Sequence, residues 1–251
     1  MIWQQAFFET RWRFLIGLVL LPVSAMFVAL SYAQVTALAQ SVTATPDTAL
    51  GREIATAMEM AKRYDSYVWS QWFQRNGAQL GAFFAAIIGT GGLLSQSAAA
   101  RLFTLSLPVS REKLLAARAA AGLGQVLALT FVPALVIVIV SPAIGRSFPV
   151  LDALAYVLCL FAGSAVFFSL AFFLSSVFAN VWTPVVLSLC AGPVLGGLDV
   201  ITGGGFSLPR MAHGESYFYG HGLPWLMLLI SAGVSLTLLY AGTRLIARQD
   251  F

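Results

Sequence analysis

The sequence predicts an all-α integral membrane protein: six transmembrane helices, an N-terminal interfacial helix and a helix-turn-helix connection on the cytoplasmic side. Three observations carry this. Of the 251 residues, 59% are hydrophobic and only 10% charged, and the mean hydropathy is +0.85, far outside the range of soluble domains. The apolar residues fall into runs long enough for the roughly 20 residues that a helix needs to cross a hydrocarbon core. Lys and Arg sit beside alternate ends of those runs, as the positive-inside rule requires.

Taken in order, residues 2–13 place Ile2, Trp3, Ala6 and Phe7 largely on one side and Gln4, Gln5, Glu9 and Arg13 on another. That pattern predicts a short helix lying on the inner leaflet, the other reading being the first turns of span one. The apolar run that follows has no small-residue cleavage site, so it reads as a retained span and not a removed signal peptide. The spans are expected at 14–35, 77–94, 119–140, 151–177, 181–198 and 223–243. In the first outer loop, SVTATPDT (Ser41 to Thr48) is turn-like, whereas Ala49 to Arg75 has helix-forming composition and predicts an extracytoplasmic helix leading into span two. Gly192, Pro193, Gly196 and Gly197 are expected to bend or unwind span five. The Gly-, Pro- and aromatic-rich loop 200–222 then fits a short re-entrant element on the outer side. No internal repeat is visible.

Sidedness follows from charge. Arg11, Arg13, Arg101, Arg111, Lys113, Arg118, Arg244 and Arg248 belong to one set of connections, mostly within a few residues of a span. Arg52, Lys62, Arg63, Arg75, Arg146 and Arg210 belong to the other set, and the first three lie in the middle of a long loop, where charge counts for less. The first set is therefore cytoplasmic, and an even number of spans puts both termini there. Trp3, Trp12, Trp69, Trp72, Trp182 and Trp225 all fall near predicted span ends, where an indole settles in the headgroup region.

Several function classes are excluded or disfavoured. The net charge of +4 is scattered, with no basic stripe for a nucleic acid. Cys159 and Cys190 lie in apolar runs without CxxC spacing and are expected to be buried thiols. Gly89 to Gly92 and Gly203 to Gly205 lack the following Lys of a phosphate-binding loop, so the chain has no P-loop of its own. HExxH and GxSxG are absent, and no catalytic residue is expected. His213, His221, Glu215 and Met211 share an outer loop, but their spacing matches no standard metal site and a solvated loop is expected. Within the spans, Asp152 and Asp199 lie near outer ends, and the more central polar groups, Gln79, Gln125, Ser164 and Ser188, are neutral. Ion-coupled carriers ordinarily bury a carboxylate, so energy is expected to arrive from outside the spans.

Attention then moves to the longest cytoplasmic connection. Ser95 to Ser106 (SQSAAARLFTLS) fits a short amphipathic helix, Pro108 stops it, and Ser110 can cap the next helix ahead of Arg111, Glu112 and Lys113. By itself this is either a solvated connection or a partner-binding surface. The segment Arg101 to Arg118, RLFTLSLPVSREKLLAAR, resembles the permease subunits of ABC type-2 transporters, in which a coupling helix precedes a phrase close to LSLPVSRxxLLxAR. The terminal ARQDF and Arg11 to Leu15 resemble that family's ends, and with six spans in 251 residues the resemblance covers the whole chain. Ser95 to Ala100 departs from it: the family often has acidic and basic residues with a Gly-Thr pair there, which puts the docking chemistry in question.

The resemblance implies an exporting permease subunit of the bacterial cytoplasmic (inner) membrane, without cofactor or metal of its own. It would pair with itself or a similar permease and with two copies of a separate ATP-binding cassette subunit that holds ATP and Mg. The coupling helix would run from Ser97 to Ser106, with Arg101 as a polar contact and Ser97, Leu102, Thr104, Leu105, Pro108 and Arg111 completing the coupling set. The N-terminal helix and the turn Val177 to Asn180 would add secondary contacts. Small residues four apart, Gly77 with Gly81 and Gly192 with Gly196, mark faces for close helix approach, at the dimer and path or within one subunit. An uncharged aliphatic and aromatic interior suits a lipid, peptide or amphiphilic drug. A secondary transporter or channel is the alternative, with an intramembrane enzyme or scaffold behind it.

Overall fold

The computed structural model describes residues 2–41, 49–90, 110–201 and 207–247, and every regular element among them is helical. In chain order these are α1 (Ile2–Leu30), α2 (Tyr32–Ser41), α3 (Ala49–Lys62) and α4 (Tyr64–Val68), which continues through a π-helical stretch (Trp69–Asn76) into α5 (Gly77–Gly89). There follow α6 (Arg111–Val140), a 3-10 turn (Ser141–Ile144), α7 (Val150–Leu174), α8 (Trp182–Ile201), the short α9 (Leu208–Ala212) and α10 (Glu215–Phe218), and α11 (Trp225–Ala247).

Four helices are long and apolar enough to cross a membrane: Phe7–Leu30, Glu112–Ile144, Val150–Leu174 and Trp225–Ile246, with a shorter apolar helix at Trp182–Val194. Packing puts α7 at the centre, against α5, α6 and α11, while α1 lies along α6. Burial agrees, since 61% of the apolar window of α7 is buried against 28% for α11. Val19 and Phe27 of α1, Val186 of α8, and Leu229 and Leu236 of α11 remain exposed. In water so many bare apolar side chains would cost solubility; in lipid they cost nothing.

Contacts between helix ends fall into two groups. At one end α1, α5, α6 and α11 meet through Arg13, Thr90, Arg118, and the Glu112–Arg244 pair. At the other, Tyr64 shares a hydrogen bond with Ser141, the Trp69 indole donates to the His213 carbonyl, and Tyr217 donates to Asp152.

Several expectations are corrected. Residues 2–13 form no separate interfacial helix: α1 runs unbroken to Leu30, with no proline before Pro22, and its Glu9 and Arg13 side chains find partners on other helices of the bundle. Span five does not unwind at Pro193, because a proline removes one intrahelical bond and the flanking bonds carry α8 on to Ile201. Helix α6 begins eight residues before its expected apolar start, where Ser110 does cap it, its Oγ accepting from the Lys113 amide at 3.4 Å. Trp69 and Trp72 are core side chains, not headgroup anchors, because the π-helical stretch carries them inward; Trp12, Trp182 and Trp225 are exposed as expected. Cys159 is buried but Cys190 is exposed, on the outward side of α8. The α3 helix appears where helix-forming composition placed it.

Glycines set the closest approach. A methyl group on Gly89 would lie 2.5 Å from the Phe168 carbonyl oxygen, whereas one on Gly124 would meet nothing within 4 Å. Gly89→Ala should therefore destabilise by about 1–3 kcal/mol through overpacking, while Gly124→Ala should stabilise by about 0.5–1 kcal/mol through helix propensity. Thermal unfolding in detergent, followed by helical circular dichroism, reads both.

Candidate functional site

The C-terminal end of α5 is a built polar site. Helix α5 stops at Thr90, which turns to extended backbone (φ −82°, ψ 164°), so the last carbonyls have no intrahelical partner. Arg13 from α1 supplies one, donating from a single guanidinium nitrogen to Ile87 O at 3.0 Å, Thr90 O at 3.1 Å and Thr90 Oγ1 at 3.2 Å. Arg118 from α6 donates to the same Thr90 carbonyl at 3.3 Å and pairs with Glu9 of α1 at 3.2 Å. Two guanidinium groups at a helix C-terminus also meet the negative end of its dipole. Their mutual repulsion is relieved by Glu9, which makes the trio Glu9, Arg13 and Arg118 a mixed-charge knot around one carbonyl end.

Next to it the α1–α6 seam is closed by Thr10, whose hydroxyl donates to Gln125 Oε1 at 2.9 Å. Gln125 Nε2 is buried without a partner among the described residues. On the solvent side Glu112 and Arg244 pair at 3.2 Å with both side chains more than half exposed, a contact screened by water and weak.

This knot holds both flanks of the connection 91–109. Ser97, Arg101, Leu102, Thr104, Leu105 and Pro108 lie outside the described residues. Arg111 opens α6, one residue beyond the Ser110 cap. None of Glu9, Thr10, Thr90 and Arg118 was singled out as a site residue by sequence. A charged residue inside the first turns of a span, four residues from another of opposite sign, was the available signal, in Glu9 and Arg13.

The paired small residues are placed as follows. Gly77 is buried under its own helix, with Trp72 O 2.9 Å from where a side chain would begin. Gly81 faces the Ser164 hydroxyl of α7 at 3.0 Å, and Gly192 faces the Phe167 ring at 3.4 Å. Gly196 lies within α8, and its surroundings fall outside the described residues. Between α5, α7, α8 and α9 lies a mostly apolar cavity of about 250 Å³, walled by Ala78, Ala82, Phe167 and Gly192, with Gln79, Ser164 and His213 as its polar groups. Burial lowers the His213 pKa and favours the neutral imidazole. Among the described residues no three His, Cys, Asp or Glu side chains gather as a metal site. Comparison with family models, with curated proteins and with solved structures gives no match.

Proposed function

We propose that this chain is the permease subunit of an ATP-binding cassette transporter of the type-2 kind, working in export from a bacterial inner membrane. In this reading α5, extended outward by the π stretch and α4, and α8 complete six spans. A second copy, or a similar permease, completes the path. ATP and Mg are held and hydrolysed in a separate cassette subunit that docks on Ser97 to Ser106. The observation that supports it is the knot of Arg13, Arg118 and Thr90, which ties the start of the connection bearing the family-like phrase to three helices at once. A push delivered at Thr90 would reach α1, α5 and α6 together through these hydrogen bonds. The largely uncharged cavity beside Gly192 supports an apolar or amphiphilic cargo.

An ion-coupled carrier is the second reading, favoured by one observation, the partly buried Glu9–Arg118 pair. That pair sits at the inner end of the bundle, away from the middle of the spans where relay carboxylates belong.

The orientation tests the proposal, because cytoplasmic ATP can drive only an inward-facing connection. With Cys159 and Cys190 replaced, single cysteines at positions 45 and 213 should react with an impermeant maleimide in intact cells. A cysteine at 112 should be protected. Labelling at 112 with protection at 45 would overturn the reading.

A further inference from the structure

At the end opposite the arginine knot, three segments far apart in sequence line a second cavity, half open to solvent and of about 410 Å³. Its walls are the rings of Phe148, Tyr156, Tyr217 and Phe218, supplied by the turn before α7, by α7 itself and by α10. Tyr156 and Tyr217 stand at 89° to each other with centroids 5.4 Å apart, and Phe148 lies 6.4 Å from Tyr156. The rings thus form adjoining walls and not a single stack. Gly220 and Gly222 close the rim at φ of +80° and +78°, a left-handed backbone that side chains resist.

The charge in this cavity is unbalanced. Among the described residues its charged side chains are Arg63, Asp65 and Asp152. Arg63 and Asp65 neutralise each other through two hydrogen bonds, of 3.2 and 2.6 Å. Asp152 accepts from the Tyr217 hydroxyl at 2.8 Å, a neutral donor that leaves the carboxylate its full charge and further acceptor positions. The bond to Asp152, with burial adding to it, raises the Tyr217 pKa and keeps that hydroxyl a donor. Arg146, close by in sequence, is turned to the Tyr32 ring, 5.5 Å from its centroid. One net negative charge inside aromatic walls is the chemistry that attracts an organic cation: ring faces stabilise a diffuse positive charge, and the carboxylate sets its sign.

We infer that this outer cavity is a binding site for a small alkylammonium cation of the choline type, distinct from the apolar cavity beside Gly192. The inference does not depend on the transporter reading, since it uses only residues of the outer end. The shared chemistry is a quaternary ammonium group, which could come from a free cation or from the headgroup of a choline lipid.

The test is equilibrium binding of radiolabelled choline to the full chain in nanodiscs made of phosphatidylglycerol, with 3,3-dimethylbutanol as the uncharged competitor of the same shape. Saturable choline binding that dimethylbutanol competes for at least about tenfold more weakly supports the site. Asp152→Asn, which keeps an acceptor for Tyr217, should weaken choline about tenfold or more, and Tyr156→Leu likewise. In nanodiscs of phosphatidylcholine, an unchanged affinity assigns the site to the free cation, and a weakened one assigns it to the lipid headgroup. Absence of saturable binding, equal competition by dimethylbutanol, or unchanged affinity in both Asp152→Asn and Tyr156→Leu would overturn the inference.

Discussion

Removing the Glu9 carboxylate is expected to destabilise the bundle by about 3 kcal/mol, at the low end of what breaking a buried ion pair costs. Arg118 is 11% exposed and Glu9 29%, 3.2 Å apart, so Glu9→Ala leaves a guanidinium with little access to water and a second one, Arg13, on the same carbonyl end. The loss comes from the stranded charge more than from the lost attraction. Replacing both partners with apolar residues, Glu9→Leu with Arg118→Leu, should therefore recover most of it, since Arg13 still satisfies Thr90 O. Denaturant unfolding of Glu9→Leu, Arg118→Leu and the double variant gives the coupling between them directly. Near-additive losses would show that the pair contributes nothing as a pair and that the knot is not a unit.

The second large effect is on energy transfer. Arg101→Glu reverses the charge of the proposed polar contact, and Pro108→Ala removes the stop expected from sequence between the proposed coupling helix and α6. Neither residue lies in a span, so membrane insertion should be unchanged. Coupling between sites is typically worth 1–3 kcal/mol, or roughly 5- to 150-fold, and each variant should lower transport per ATP hydrolysed by about tenfold or weaken capture of the cassette subunit to a similar degree. Normal transport with native partner affinity in both variants would show that the segment does not receive the energy.

What could be read from sequence and what could not divide along a physical line. Span positions depend on apolar length, a local property, and the four long apolar helices fall on four of the six expected spans, whereas α5 and the apolar part of α8 are shorter among the described residues. The Ser110 cap was legible for the same reason, because a cap is a contact within four residues. Trp69 and Trp72 were misplaced because interfacial preference describes an isolated helix, while the bundle offered Phe218 as a stacking partner 3.8 Å from Trp69. Pro193 was overestimated because a proline's local cost says nothing of the bonds on either side of it. Arg13 and Arg118 were counted as loop charges, since nothing in a one-dimensional reading shows that α5 ends between them. Asp152 and Tyr217 likewise had no visible relation until the fold brought α7 and α10 together.

In the proposed function this chain carries no energy source and takes its drive from a cassette subunit docked on residues 97–106. The measurement that tests it most directly is ATP hydrolysis by the co-expressed cassette protein in proteoliposomes, with and without this chain. The account predicts that hydrolysis rises when the chain is present and falls back when residues 95–110 are replaced by a Gly/Ser linker that leaves the spans inserted. Hydrolysis indifferent to the chain, together with substrate movement driven by a proton gradient in the absence of ATP, would contradict it.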